Sequence, residues 1–554
     1  MLAGAGRPAG AAEPARRPSY TRRVEQRAPA PDERARRGQL AWSTAVFAVA
    51  TGLSRIAGLV REIVVRRYFG VQGPINAFTV AFQVPNLVRA LVADAAFSGA
   101  FVPVFSELLE KGERARAWRV ASSLFWLLLL GLGGLTAAFV LLAPWIMRPF
   151  GLPPGYEDLA VTLSQILFPI VVLLGLFGLI VGILNSYEHF SIPALTPVFW
   201  NVAIIAGLVI GVPTVDTQDG KLYVYAASIL AGTVIQLLLP VPWLAGRDGR
   251  LRAVLDWRDP AVKQVFVLML PVTLGLGLIN FNTLIGTFFA ARYIDPSQAP
   301  AAIDAAFRIY MLPQGMFSVA VATVLFPALS RLAARGDEDA FRATLGLGLR
   351  QIGFLLVPAS AVTAVLAEPV VRLLYQRGAF GPQETPIVAA ALAAFSLGLA
   401  FNGAMLMLNR AFFSLQAPWT PTVVALGNLA LNTALYAALY RVGTWGVPLA
   451  ISLANIAGTA ALLVLLRRRL RRIEFVETAR STLLVLIASA VTAGAAYGAW
   501  RGLDEALGRS FGGQLASVAV ALAVAAAVYL LAARALGVRE LAALHSLRAR
   551  LRRA

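Results

Sequence analysis

Thr51-Gly-Leu-Ser-Arg-Ile-Ala-Gly-Leu-Val-Arg-Glu62 is the stretch on which the reading of this chain turns. Its flanks are apolar enough to cross a bilayer, yet at about 100° per residue Thr51, Ser54, Arg55, Gly58, Arg61 and Glu62 fall within roughly a third of a helix circumference. A charge at the bilayer centre costs at least about 2.5–3.5 kcal/mol. Two arginines on one narrow stripe are therefore expected to face a water-filled cavity or an anionic partner, which points to transport of something negative.

The rest of the chain supports a membrane setting. Its 554 residues are 58% hydrophobic and only 14% charged, with a mean hydropathy of +0.70. A soluble chain of that composition would expose large apolar patches. From residue 40 onward, apolar stretches of about 20 residues alternate with short charged connectors. Fourteen are expected, centred near residues 54, 90, 132, 172, 203, 233, 277, 318, 358, 400, 430, 456, 490 and 524. The fold class is an all-α polytopic membrane protein.

Basic residues gather in the even-numbered connectors: Lys111, Arg114, Arg116 and Arg119; Arg247, Arg250, Arg252, Arg258 and Lys263; Arg331, Arg335 and Arg342; Arg467, Arg468, Arg469, Arg471 and Arg472. These connectors are expected in the cytoplasm. The odd-numbered ones are poorer in base and carry Asp216 and Asp219, Asp295 and Asp304, and Asp504 and Glu505. Both termini then lie inside. The net charge of +20 follows this topological pattern, and no nucleic-acid motif accompanies it. Residues 1–39 hold nine arginines, four acids and no apolar run. They read as a disordered basic tail that touches anionic membrane lipids, and not as a signal peptide. Residues 536–554 read as a second basic tail. The chain has no cysteine, which excludes disulfides and thiolate metal sites.

Three motifs recur at one displacement of 224 residues: Pro103-Val-Phe-Ser106 with Gly112 against Pro327-Ala-Leu-Ser330 with Gly336, Leu184-Asn185 against Leu408-Asn409, and Thr196-Pro197 against Thr420-Pro421. Six spans separate each pair. An even number preserves orientation, so a parallel repeat about an axis along the membrane normal is expected, with a cavity between the lobes. The division is 40–250 for the first lobe, 251–472 for the second and 473–535 for two added spans.

Within the second span Gln83, Asn86 and Arg89 share a face, with Pro85 able to bend the helix and Asp94 further along; Arg308 opens the eighth. A structural alternative exists for each arginine: snorkelling, or pairing of Arg61 with Glu62 and Arg89 with Asp94. Arginine suits a diphosphate because its planar fork donates two parallel hydrogen bonds and stays charged when desolvated. Asn280, Asn282, Thr283 and Thr287 either line the cavity or bond between helices, and Asn428 and Asn432 read the same way. Gly175, Gly178 and Gly182 read as close helix packing. His189 and His545 have no ligand-like neighbours, so no metal site and no cofactor is expected. Catalytic carboxylates are scarce, with Glu62 and Asp94 the main candidates in the spans.

Ser54-Arg-Ile-Ala-Gly-Leu-Val-Arg-Glu62, Asn76-Ala-Phe-Thr-Val-Ala-Phe-Gln-Val-Pro-Asn-Leu-Val-Arg89, Ala96-Phe-Ser-Gly-Ala-Phe-Val-Pro103, Phe190-Ser-Ile-Pro-Ala-Leu-Thr-Pro197, Leu312-Pro-Gln-Gly-Met-Phe, Arg377-Gly-Ala-Phe380 and Asn409-Arg-Ala-Phe-Phe-Ser-Leu-Gln together resemble the MurJ (MviN) family of lipid II flippases, in the multidrug/oligosaccharidyl-lipid/polysaccharide exporter superfamily. The resemblance implies fourteen helices, a cationic central cavity and a groove at spans 13 and 14 for a polyprenyl tail. It implies that Arg55, Arg61, Arg89 and Arg308, with Glu62, Ser54 and Asn86, bind the substrate. It also implies lipid II as partner, a monomeric carrier in the bacterial inner membrane and dealings with other cell-wall synthesis proteins. Acids expected from the family are absent at Asn76, Gly286, Phe307 and Asn432; Gly286 and Asn432 correspond to carboxylates of a sodium site in related proteins, which argues against sodium coupling. The competing readings are a flippase for another polyprenyl-linked glycan, a drug/cation antiporter, a membrane glycosyltransferase or phosphatase, and a non-transporting scaffold.

Overall fold

The computed structural model describes residues 31–92, 95–470 and 475–541. Asp94, His545 and residues 1–30 of the expected N-terminal tail lie outside them. The first half contains α1 (Pro31–Phe69), α2 (Ile75–Val92), α3 (Ala95–Glu110), α4 (Arg114–Met147), α5 (Pro154–Leu167), α6 (Pro169–Ser186), α7 (Ser191–Gly211) and α8 (Gln218–Leu238). The second contains α9 (Pro260–Phe289), α10 (Ala299–Pro313), a π-helical turn (Gln314–Ser318), α11 (Val319–Arg335), α12 (Glu338–Val365), α13 (Ala367–Tyr375), α14 (Glu384–Ser396), α15 (Leu399–Ser414), α16 (Trp419–Leu439) and α17 (Gly446–Leu470). Two more helices, α18 (Phe475–Leu507) and α19 (Phe511–Ala535), end the described chain's helical part. Among the described residues there is no strand.

Ten helical segments are long and apolar enough to cross a membrane, or eleven when α14 and α15, bent by 41°, count as one. The three remaining segments of the expected fourteen fall on α1, α2 with α3, and α9, so the arrangement is compatible with that number. One boundary differs. Residues 31–39, expected in the disordered tail, lie within α1.

The internal repeat is visible in both packing and helix ends. α2, α3 and α4 begin at residues 75, 95 and 114, and α10, α11 and α12 at 299, 319 and 338, the same displacement of 224 in each. α3 and α11 each run through a proline, Pro103 and Pro327. They are followed by Gly112 and Gly336, both in the left-handed region at φ 76° and 68°, where glycine closes a helix without a Cβ penalty. Packing partners repeat as well. α2 lies on α5 as α10 lies on α14, α3 on α6 as α11 on α15, and α7 on α8 as α16 on α17. Gly175 and Gly182 of α6 allow Leu132 and Phe101 to approach so closely that a Cβ would collide, as close packing requires. α18 packs on α19 and along α12, outside the repeat.

Two features position the cavity. The first is a seam between the lobes at the acid-rich connectors. Asn76, fully buried, donates to the carbonyls of Val71, Gly73 and Ser297, and its Oδ1 accepts from the amide of Ala301. Gly73 N–H donates to Ser297 O, and Ala379 N–H to Arg67 O. The second is an asymmetry. α9 packs closely along α2 and α3, with Thr273 Oγ1 donating to Leu91 O, whereas the corresponding pair across the molecule, α1 and α10, barely touches. The lobes thus pack closely along one flank, while on the other α1 and α10 leave a slot with few contacts across it.

At the arginine-rich side the connector between lobes is fastened to α4. Ser122 and Ser123 accept from the amides of Arg252 and Asp256. Asp259 caps α9 through Ala261 N–H and takes Arg116 at 3.3 Å. Burial works against the charged form of Asp259, but the Arg116 hydrogen bond and the Ala261 amide hold its carboxyl below the usual range.

Candidate functional site

α1 brings its polar stripe to the edge of the slot, as the spacing requires. The stripe divides among neighbours. Gly58 faces Asn201 of α7, and Arg61 lies over the Trp200 ring at 4.9 Å from its centroid. Trp200 is itself held by its Nε1 donating to Thr233 Oγ1. Arg55 is exposed and reaches across to Gly315 in the π-helical turn, where an added Cβ would stand 3.0 Å from its guanidinium. Among the described residues Arg55 has no ion-pair partner. Ser54, half-buried, precedes it on the stripe.

Below the seam five charges alternate in sign. Arg66, fully buried, donates from Nε and one Nη to Glu62 Oε1 at 2.9 and 2.6 Å, and from the same Nη to Asp304 Oδ2 at 2.9 Å. Asp304 Oδ1 accepts from Arg308 at 3.0 Å, and Glu62 Oε2 stands 3.9 Å from Arg61. The Arg308 side chain remains 41% exposed against 3% for Arg66, so Arg308 is available to a ligand and Arg66 is not. Tyr225 stands within electrostatic reach of Arg61, Glu62, Arg66 and Arg308. Asp304 lies within reach of Arg61 as well as its two partners.

Three expectations change. Asp304, expected in an outward connector, sits in the second turn of α10 and joins the lobes. Glu62 makes its short contacts with Arg66, and Arg61 stands farther off. Arg89 does not join the Arg61–Arg308 group: its guanidinium donates to Asn86 Oδ1 at 2.9 Å, and Asn86 Nδ2 stands 3.5 Å from Asn280 Oδ1, which places both on the α2–α9 flank. The proposed Arg89–Asp94 pair lies outside the described residues. Arg66, Asp304 and Trp200 were not singled out as site residues. Two carried a signal, since Glu62 and Arg66, and Asp304 and Arg308, stand four residues apart with opposite charge; nothing in the sequence points to Trp200.

The family model described as "Lipid II flippase MurJ" matches residues 65–508. The chain belongs to the MurJ lipid II flippase family. A MurJ relative from Burkholderia cenocepacia, named lipid II flippase MurJ, is 32% identical over 433 residues, covering 76% of this chain and 82% of its own. A solved structure titled "Lipid II flippase MurJ, inward closed conformation" superposes with a TM-score of 0.74 at 24% identity, covering 89% of this chain and 99% of that one. An inward-facing multidrug resistance MATE transporter of the MOP superfamily gives 0.67 at 15% identity, covering 77% and 98%. The superfamily likeness therefore holds at the level of fold.

The positions where the resemblance led to an expectation of acids have these surroundings. Asn76 is an element of the seam. Gly286 faces the Tyr436 hydroxyl and Val447, each 3.4 Å from where a Cβ would stand, and that hydroxyl donates to Asn282 Oδ1 at 3.3 Å. Asn432 is buried, and its Oδ1 has no partner among the described residues. Asn428 packs against Gly458. Among the described residues no group of three His, Cys, Asp or Glu side chains could hold a metal ion.

Proposed function

We propose that this chain carries lipid II, an undecaprenyl-diphosphate-linked peptidoglycan precursor, from the inner to the outer leaflet of the bacterial cytoplasmic membrane by alternating access. The observation that carries the reading is that Arg61 and Arg308, one from each lobe, stand at the two ends of one charged cluster beneath the seam in a MurJ-family fold. A diphosphate between them would exchange water for charge-assisted hydrogen bonds in a partly desolvated site, where such bonds are about twice as strong as neutral ones. Arg55, at the mouth of the slot, would meet the head group first; Arg89 with Asn86 would serve the sugar from the opposite flank, and Ser54 and Glu62 would orient their neighbouring arginines.

In this reading the arginine-rich connectors and both termini are cytoplasmic, so the seam is external and the cavity opens inward. The polyprenyl tail stays in lipid along α18 and α19, and the carrier works as a monomer without a cofactor. Membrane potential or the substrate gradient drives it. The test is leaflet-resolved translocation of lipid II in proteoliposomes. Protein-dependent movement to the opposite leaflet, lost in Arg61→Ala, is the expected result. Movement of another polyprenyl-linked glycan in preference to lipid II would reassign the cargo. Chemical conversion of the lipid, read by mass spectrometry, would replace transport with catalysis.

A further inference from the structure

Arg308 is exposed enough to bind cargo, yet one of its donors is already taken by Asp304, and the other oxygen of Asp304 takes Arg66 from the facing lobe. One carboxylate therefore joins the group that meets the cargo to the group that ties the lobes. Arg66 cannot leave easily: it is buried, and Glu62 holds it from the same helix with two short bonds. Of the bonds that cross between the lobes here, Arg66–Asp304 is the ion pair, and it is broken most simply at Asp304. Beside Asp304 lies a small cavity of about 60 Å³, walled mostly by apolar side chains such as Ile303, Phe307 and Phe395, with Gln83, Thr283 and Thr287 as its polar members; it gives the carboxylate room to turn off Arg66 and Arg308.

We propose that Asp304 occupies the place of a cargo phosphate on Arg308 while the cavity is empty, and that its displacement by the arriving diphosphate releases the Arg66–Asp304 bond and loosens the outer seam. The inference rests on the flippase reading above. A ligand shifts a conformational equilibrium only by binding one state more tightly than the other. The required difference is built in. With the seam shut, the diphosphate must compete with Asp304 for Arg308 and is repelled by its charge; with the seam open, Asp304 has left and Arg308 is free. The cargo thus binds the seam-open form better and draws the molecule toward it. After the cargo departs, Asp304 returns to Arg66 and Arg308, and the seam closes on an empty cavity. Asp304 is a positioning residue that acts through Arg308 and Arg66, without touching the cargo.

The chain has no cysteine, so Gln72→Cys and Gln383→Cys, at exposed positions on either side of the seam, give a clean spin-label pair in the full-length protein in nanodiscs. Undecaprenyl diphosphate is the probe, with its affinity measured in parallel. In the otherwise unchanged protein the label distance should be short and should lengthen on adding the probe. In Asp304→Asn it should be long without probe, and binding should tighten by about tenfold because the competitor is gone. In Arg308→Gln, where Arg66 keeps Asp304, it should stay short, with weakened binding and no response. A monodisperse Asp304→Asn protein that keeps the short distance and unchanged affinity would overturn the inference, as would an Arg308→Gln protein whose seam still opens on probe binding. Absence of probe binding in the unchanged protein would instead overturn the flippase reading together with it.

Discussion

Arg61 and Arg66 lie five residues apart on one helix, and their surroundings give them opposite duties. Arg66 is enclosed by Glu62 and Asp304; removing it leaves buried Glu62 without its main partner and Asp304 with Arg308 alone. Arg66→Ala should destabilise the protein by about 3–5 kcal/mol, read as a large fall in melting temperature or in folded yield. Arg61 is held by stacking on Trp200 and a distant carboxylate. Arg61→Ala should leave insertion and melting near normal and abolish translocation, while Arg61→Lys restores it only in part because an ammonium cannot make the bidentate contact. Trp200→Phe should retain most transport and Trp200→Ala lose much of it, since a ring face is what fixes the guanidinium. Equal melting temperatures for Arg61→Ala and Arg66→Ala would contradict this division.

At the scale of elements, the start of α10 shows what sequence reading missed and why. Asp295-Pro-Ser-Gln-Ala-Pro300 has the composition of a turn, which made Asp304 look like the end of a connector. Pro300 stands in the first turn of the helix instead, where its missing N–H costs nothing and its fixed φ suits the helix. Asp304 therefore falls one turn before Arg308, facing it. By contrast the stripe on α1, the paired prolines and glycines of α3 and α11, and the 224-residue displacement were legible because each depends on local periodicity or backbone chirality. Tertiary partners such as Trp200, and the displacement of Arg89 to the other flank, depend on how the lobes lean and leave no local trace.

Two predictions belong at the same scale. Asp259 caps α9 and pairs with Arg116, with its carboxyl held below the usual range. Its contribution is present above about pH 4, where the unfolded group is ionised, and is lost as pH falls through its lower folded value. The 245–259 connector should resist protease from neutral pH down to about pH 4 and loosen below it; Asp259→Ala should weaken the cap by about 1 kcal/mol and expose the connector at pH 7. On α9, Gly286 faces Tyr436 and Val447, and on α16 position 432 is an amide, Asn432, and not a carboxylate. A glycine and an amide at these two positions offset sodium dehydration less than carboxylates would, so no sodium dependence is expected from them. Translocation in proteoliposomes should be unchanged when potassium replaces sodium at constant ionic strength; a strict sodium requirement abolished by changing Asn428 or Asn432 would reverse this reading.

For the molecule as a whole, residues 31–39 already lie within helix α1, which bears on truncation. Deleting residues 1–30 should leave translocation intact and remove only a weak attraction to anionic lipid, whereas deleting to residue 39 cuts into the helix that carries Arg55 and Arg61 and should lower folded yield. The unequal flanks have a larger consequence. Because α2 and α9 pack closely while α1 and α10 touch little beyond the Arg66–Asp304 pair, the gap between them is a notch that a passing molecule could straddle, with its head inside and its chain outside. A tail of about fifty carbons withdrawn from hydrocarbon would cost on the order of 40 kcal/mol at ~0.8 kcal/mol per methylene, more than any handful of arginines returns. Left where it is, the tail costs nothing and acts as a tether: the head cannot drift away between leaflets, and the crossing becomes a search along one line instead of through a volume.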